Sequence, residues 1–229
     1  MEQKLIDNLV AKASEAQLKY EKCSQQQVDE LVKAIARVVF DNAGDLAKMA
    51  VEETGMGNFE DKLKKKIGKS KIIWDSLKNK KSVGIIEYNE ESGIALVAKP
   101  VGVVGAVTPC TNPVVTPMCN IMFALKGRNA IIIAPHPRAK KCGKYVVDLF
   151  NKEISKLGDF KNLIQIIEEP SIVLTSELMS KVDVVVATGG MGMVKSAYSS
   201  GKPAFGVGVG NVQCIKTGTQ TLKKPYRKL

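Results

Sequence analysis

The chain has 229 residues, 45% of them hydrophobic and 25% charged, which is enough apolar content for one substantial core or one and a half domains. No run of about 18 apolar residues occurs, and MEQKLIDNLV lacks the basic-then-apolar order of a secretory signal, so neither a membrane partner nor export is expected and the location expected is cytoplasmic. The net charge of +11 invites nucleic acid, but five of the positive charges (Lys216, Lys223, Lys224, Arg227, Lys228) crowd the last 14 residues, aromatics are 5% and no RNP-like pattern is present, so no specific nucleic-acid partner is expected.

Cys23, Cys110, Cys119, Cys142 and Cys214 are scattered and form no CxxC pair, which argues for reduced thiols without a disulfide framework or metal site. Apolar residues recur at helical spacing over 4–18 and 24–49, predicting two amphipathic helices, the second opened by a capping box of Ser24 and Gln27. After the break Thr54-Gly55-Met56-Gly57, a basic helix is predicted over 58–77. Its lysines, from Lys62, Lys64, Lys65 and Lys66 to Lys69 and Lys71, read as a solvated face.

The period then shortens. Residues 83–88 and 94–98 flank the polar loop 89–93 and predict a β-hairpin, which needs a further sheet or subunit to cover it. From Lys99 onward strands and helices alternate, as in a mainly parallel sheet with crossover helices. Strands are predicted at 101–107, 130–134, 163–167, 182–187 and 212–215, and helices at 114–126, 139–157, 175–180 and 191–200. The fold class expected is α/β, a Rossmann-like, mainly parallel sheet. Its divisions are a helical layer over 1–82, a protruding hairpin over 83–98, the core over 99–215 and a basic tail over 216–229.

Three polar loops follow predicted strands: Thr108-Pro109-Cys110-Thr111-Asn112-Pro113, Ala134-Pro135-His136-Pro137-Arg138 and Thr188-Gly189-Gly190. Ligands of open α/β sheets bind beyond the carboxyl ends of strands, so these loops are expected to converge on one crevice. Glycines after a buried strand let backbone N–H groups approach a diphosphate, though an ordinary βα turn uses the same glycines. No GxGxxG occurs; Gly206, Gly208 and Gly210 make a GxGxG instead.

Together with Val51-Glu52-Glu53-Thr54-Gly55-Met56-Gly57 and the segment Lys202-Pro203-Ala204-Phe205-Gly206-Val207-Gly208-Val209-Gly210-Asn211, these loops resemble the aldehyde dehydrogenase superfamily. The resemblance runs in order from about residue 4 to Ile215 and is to the CoA-acylating branch. That branch includes acetaldehyde dehydrogenases, the aldehyde half of aldehyde-alcohol dehydrogenases and, most similar, acylating succinate-semialdehyde dehydrogenases of anaerobic bacteria. It implies that aldehyde, coenzyme A and NAD or NADP give acyl-CoA and the reduced cofactor through a cysteine adduct.

The resemblance also implies residue roles. Thr188, Gly189 and Gly190 match the loop over the cofactor diphosphate, and Thr108, Pro109, Cys110 and Thr111 the loop beside the nicotinamide. Counted from Pro109, the family's oxyanion asparagine falls on Thr111 and Asn112 is one later; Asn112 is assigned the donor's role, with a turn residue before Pro113 as the alternative. His136, Pro137 and Arg138 stand where relatives hold the adenosine ribose, and Gly206, Val207 and Gly208 complete the cofactor set. Val207 replaces the glutamate that activates water in hydrolytic relatives, and a valine cannot accept a proton, so release by a thiol is implied.

The family nucleophile lies roughly 30 residues beyond the 206–211 segment, and none of the five cysteines matches it. Resemblance stops after Ile215, where relatives carry an acidic helix-forming segment. Codons for that segment read one base out of phase can yield the basic tail, so a frameshift is expected to have produced it. The polypeptide is therefore expected to bind cofactor and to be inactive alone. A homo-oligomer or self-association through 83–98 is also expected, with two competing readings: a noncatalytic assembly subunit, and nonspecific polyanion binding by the tail.

Overall fold

Val103–Thr108 and Ala130–Pro135 are each buried at all six positions. Successive strand residues point to opposite faces, so an unbroken buried run means that both faces of this sheet are covered. The computed structural model describes residues 2–210 and 213. In chain order the elements are α1 (Glu2–Tyr20), α2 (Gln25–Asp41), α3 (Ala43–Thr54), α4 (Phe59–Leu77), β1 (Gly84–Asn89), β2 (Ile94–Ala98), β3 (Val103–Thr108), α5 (Val115–Lys126), β4 (Ala130–Pro135), α6 (Lys140–Ile154), β5 (Ile164–Ile166), α7 (Ile172–Lys181), β6 (Val184–Thr188), α8 (Met191–Tyr198) and β7 (Ala204–Val207).

Five strands form a parallel sheet in the order β5-β4-β3-β6-β7, and β1 and β2 form a separate antiparallel hairpin. This is the α/β architecture the alternating pattern predicts. Helix α1 packs on β3, β4 and α7, while α8 packs on β6 and β7; α5 lies on β3 and β4, and α2 spans α5 and α6. Helices α3 and α4 form an outer layer that returns to α5 and α6.

The structure differs from the sequence reading at three places. The helix predicted over 24–49 is two helices meeting at Asn42 (φ −105, ψ 19), whose side-chain amide donates to the Val38 carbonyl at 2.8 Å and competes with the helical ladder. Helix α7 starts three residues earlier than predicted, because the Ser171 hydroxyl accepts the Leu174 N–H and caps it. Residues 204–207 form a fifth parallel strand that the reading left unassigned, and the strand predicted over 212–215 lies outside the described residues, save Gln213. The capping box at Ser24 is present as predicted.

Polar side chains tie the layers where the chain turns. Arg128, at φ 59, donates through its guanidinium to the carbonyls of Glu21 (2.7 Å) and Ala98 (2.8 Å), joining the end of α1 and the base of the hairpin to the α5–β4 turn. Tyr20 donates to the Leu125 carbonyl at 2.9 Å, and burial raises its phenol above the ordinary range. Lys126, 6% exposed, pairs with Asp29 on α2.

Gly102 immediately precedes β3 at φ 118, where an added Cβ would lie 2.2 Å from an Asp183 carboxylate oxygen. That same oxygen accepts the Val103 N–H at 2.8 Å and links β3 to the start of β6. Gly102→Ala is expected to lower stability by about 2–4 kcal/mol through strain and loss of this link. Urea unfolding checks it; a midpoint unchanged from wild type would mean that Asp183 yields without cost.

Candidate functional site

Strand order reverses at β3: its successor β4 lies on one side and β6 on the other. A crevice of about 840 Å³ opens beyond the carboxyl ends of β3, β4 and β6, the place where open α/β sheets take ligands. Residues 107–112, 135–137 and 188–190 line it, joined by residues 170–172 and Thr175 at the start of α7, Met193 on α8, and the rim 208–210. The three loops singled out in the sequence therefore meet in one place. Of the residues assigned there, Arg138, Gly206 and Val207 lie off the crevice wall.

Each of these three has a structural occupation. The Arg138 guanidinium donates to the Thr54 carbonyl at 3.1 Å, bracing α3 against the β4–α6 connection. Val207, whose side chain is exposed on the edge strand β7, accepts the Gly189 N–H through its carbonyl at 3.0 Å. At Gly206 an added Cβ would lie 2.7 Å from a Val194 methyl and 2.9 Å from the Tyr198 ring, and its N–H donates to the Tyr198 hydroxyl at 3.1 Å. Gly206 thus lets α8 lie on β7.

Gly190 is the opposite case. It caps α8 at φ −67, ψ 163, a conformation open to any residue, and no atom of the described residues lies within 4 Å of its added Cβ. Neither its backbone nor packing among the described residues asks for glycine, and the position opens on the crevice. Among the described residues helix α8, like α3 and α5, has no side-chain N-cap, whereas Ser24, Asn58 and Ser171 cap α2, α4 and α7. Its first-turn N–H groups are left for an outside acceptor, the electrostatic setting that favours a phosphate.

His136 is exposed at the crevice mouth and accepts the Arg138 N–H through Nδ1 at 3.1 Å. With Nδ1 an acceptor, the neutral ring carries its proton on Nε2 and presents a donor outward. Cys110 lines the crevice with its sulfur 3.8 Å from the Met56 sulfur. Burial pushes the Cys119 thiol up to about 11; burial and then the Glu53 carboxylate push Cys142 up to about 12. Neither has thiolate character at neutral pH.

The sequence reading missed what stands behind the loops. The lysines of α4 are not all solvated: Lys62 and Lys66 are buried, with Lys66 2% exposed. Lys62 Nζ donates to the Thr111 carbonyl at 2.5 Å, and Lys65 Nζ donates to Asn112 Oδ1 at 3.2 Å. Glu53 accepts the N–H groups of Lys141 (2.8 Å) and Cys142 (2.7 Å), capping α6 from the neighbouring α3. The available signal was the stripe Lys62, Lys66 and Ser70, spaced by four on the inner face of α4.

The Aldehyde dehydrogenase family model matches residues 1–205. The chain belongs to the aldehyde dehydrogenase family. It is 59% identical over 210 residues to the succinate-semialdehyde dehydrogenase (acetylating) of Clostridium kluyveri, covering 92% of this chain and 46% of that protein. Among solved structures, the acetylating aldehyde dehydrogenase of Geobacillus thermoglucosidasius aligns with a TM-score of 0.89 at 43% identity over 92% of this chain and 47% of that one. An engineered glycolyl-CoA reductase with bound NADP+ aligns at 0.79 and 36% identity over 90% of this chain and 47% of that one. The chain thus spans about half the length of these relatives.

Burial pushes the Lys66 ammonium down to about 8, and the cations of Lys62 and Lys65 push the same way. Below that pH the folded protein holds a poorly solvated charge that the unfolded chain solvates freely. Between about 8 and the ordinary lysine range the unfolded chain binds more protons than the folded one, so stability rises with pH there. Lys66→Met is accordingly expected to stabilise the fold at pH 7 by about 1–3 kcal/mol, with a gain that shrinks as pH rises through that window. Paired urea titrations at pH 7 and pH 10 measure it, and a pH-independent difference would contradict the assignment.

Proposed function

We propose that this chain supplies the dinucleotide-binding part of a CoA-acylating aldehyde dehydrogenase acting on succinate semialdehyde. The overall reaction takes succinate semialdehyde, CoA and NAD(P)+ to succinyl-CoA, NAD(P)H and a proton. The single observation that carries the reading is the start of α8 at Gly190, which has no side-chain cap and opens on the switch-point crevice. The name of the Clostridium kluyveri relative supports the substrate class.

In this reading the nicotinamide cofactor serves as hydride acceptor. Gly190 and the first turn of α8 hold its diphosphate, which the helix terminus favours electrostatically, while the Gly189 N–H is donated to the Val207 carbonyl at 3.0 Å and fixes the turn. His136 and Pro137 lie at the mouth, where the Nε2–H of His136 meets a ribose oxygen. Pro170, Ile172 and Met193 offer apolar walls to the adenine, and Ile172 is 83% exposed, ready to be covered. The loop 108–112 closes the other end beside the reacting carbonyl, with Asn112 as donor to its oxygen.

Acyl transfer in this reading goes to the CoA thiol. At Val207 an isopropyl group stands in for the carboxylate that would otherwise activate water. In this reading no cysteine among the described residues is the nucleophile: burial raises the thiols of Cys23, Cys119 and Cys142, and Cys110 lies against Met56, while Cys214 lies outside the described residues. The 229-residue polypeptide alone therefore binds NAD(P)+ without turning over aldehyde.

The test separates folding from binding at one residue. Gly190→Asp keeps an extended backbone, adds an N-cap worth about 1 kcal/mol and places a carboxylate where the diphosphate would lie. The variant is expected to unfold at higher urea yet to bind NAD+ and NADP+ at least tenfold more weakly by calorimetry. Unchanged affinity, or CoA-dependent reduction of NAD(P)+ by the wild-type polypeptide, would refute the reading.

The hairpin supports a second copy of this chain as partner. Ile85, Tyr88, Ile94 and Leu96 are 53–65% exposed, and among the described residues the outer edges of β1 and β2 are unpaired. Light scattering after size exclusion is expected to show a dimer or larger species that Ile94→Lys with Leu96→Lys converts to monomer; a monomeric wild type at high concentration excludes it.

A further inference from the structure

Loop 109–113 is gripped from behind by two cations. Lys62 and Lys65 sit three residues apart on α4, one facing the main chain of the loop and the other its side chain. Lys62 is buried, and its ammonium meets the Thr111 carbonyl oxygen at 2.5 Å. Gly57 makes room for it: at φ 73, an added Cβ there would lie 3.1 Å from Lys62 Cε. Lys65 is exposed and its ammonium meets Asn112 Oδ1 at 3.2 Å. An ammonium only donates, so this contact fixes which end of the Asn112 amide is oxygen.

Both contacts act on donors of the same residue. The Thr111 carbonyl and the Asn112 N–H belong to one trans peptide, whose C=O and N–H point in opposite directions. With the oxygen turned to α4, the N–H of Asn112 points away from it. The side-chain amide behaves alike: Oδ1 is held by Lys65, leaving the NH2 group as the free end. A cation on an amide oxygen withdraws electron density from the attached nitrogen and makes its N–H a stronger donor. Asn112 lines the crevice.

We propose that Lys62 and Lys65 are positioning residues that orient and polarise the two donors of Asn112 toward a crevice ligand oxygen bearing negative charge. The class of ligand is a carbonyl oxygen that becomes an oxyanion during reaction, which rests on the reading of Asn112 given above. Preorganised donors of this kind act most strongly where charge develops, since no reorientation is required at that moment. Burial, and next the neighbouring Lys65 charge, lower the pKa of Lys62, so the grip on Thr111 weakens at a pH below the ordinary lysine range.

Carbon-detected NMR of the labelled 229-residue chain tests the arrangement without cofactor, so its outcome is independent of whether NAD(P)+ binds. The Thr111 carbonyl carbon is expected to move upfield in Lys62→Met and to recover in Lys62→Arg, which retains a donor cation. The Asn112 side-chain carbonyl carbon is expected to move in Lys65→Met and hardly in Lys62→Met. Lys65 is exposed, so its variant folds even where Lys62→Met does not. Acetate, a probe for a negatively charged oxygen, is expected to shift the Asn112 resonances of wild type and to bind Lys65→Met at least threefold more weakly. Immobile carbonyl resonances, no acetate shift at Asn112, or equal acetate affinity in the variant would each overturn the proposal. Failure of NAD(P)+ to bind while these shifts hold would count against the cofactor reading alone.

Discussion

Parallel pairing of β3 with β4 on one side and β6 on the other is the constraint on which the rest of the molecule depends. The register runs Val104 against Ile131 and against Val184, and Val107 against Ala134 and Ala187, so all three strands end at nearly the same level. A parallel pair cannot be closed by a tight turn; each strand must be followed by a crossover. The loops that leave Thr108, Pro135 and Thr188 therefore diverge from one line, and a cleft between them follows from topology before any ligand is considered. The full burial of β3 and β4 makes this line rigid, since a one-residue slip would exchange every inward and outward side chain.

A rigid sheet does not by itself aim the loops that leave it. That task falls to the outer helical layer, which looks peripheral in the contact pattern but reaches the site through polar side chains. Glu53 on α3 caps α6, Thr54 anchors Arg138, and Lys62 and Lys65 on α4 hold Thr111 and Asn112. Burying ammonium groups costs solvation, which the lowered pKa values of Lys62 and Lys66 record. A purely structural helix would place apolar residues at those positions. The cost is borne beside a crevice loop, where a polarised peptide has a use that a methylene contact could not supply.

The parts that were legible in the sequence are those set by local periodicity and turn chemistry. The buried β-branched runs marked β3, β4 and β6, the Ser24 capping box marked α2, and the polar loops after strands marked the crevice. What escaped depends on contacts distant along the chain. Lys62 meets Thr111 across 49 residues and Glu53 meets Cys142 across 89, separations over which composition carries no signal. The lysine run read as solvent-facing because charge normally is, and only its spacing of four set Lys62 and Lys66 apart from their neighbours. Strand β7 was missed because a short, glycine-containing edge strand has neither the length nor the apolar run of a buried one.

The glycines show how one residue type serves two ends within a single layer. Gly206 is required by packing, since a methyl there would strike Val194 and Tyr198 and lift α8 from β7. Gly190 is required by no contact among the described residues, and a capping side chain at that position would stabilise α8. A helix left uncapped at a crevice gives up stability that Ser171 secures for α7 across the same cleft. The difference between the two helix starts is thus a difference between holding the fold and leaving donors free.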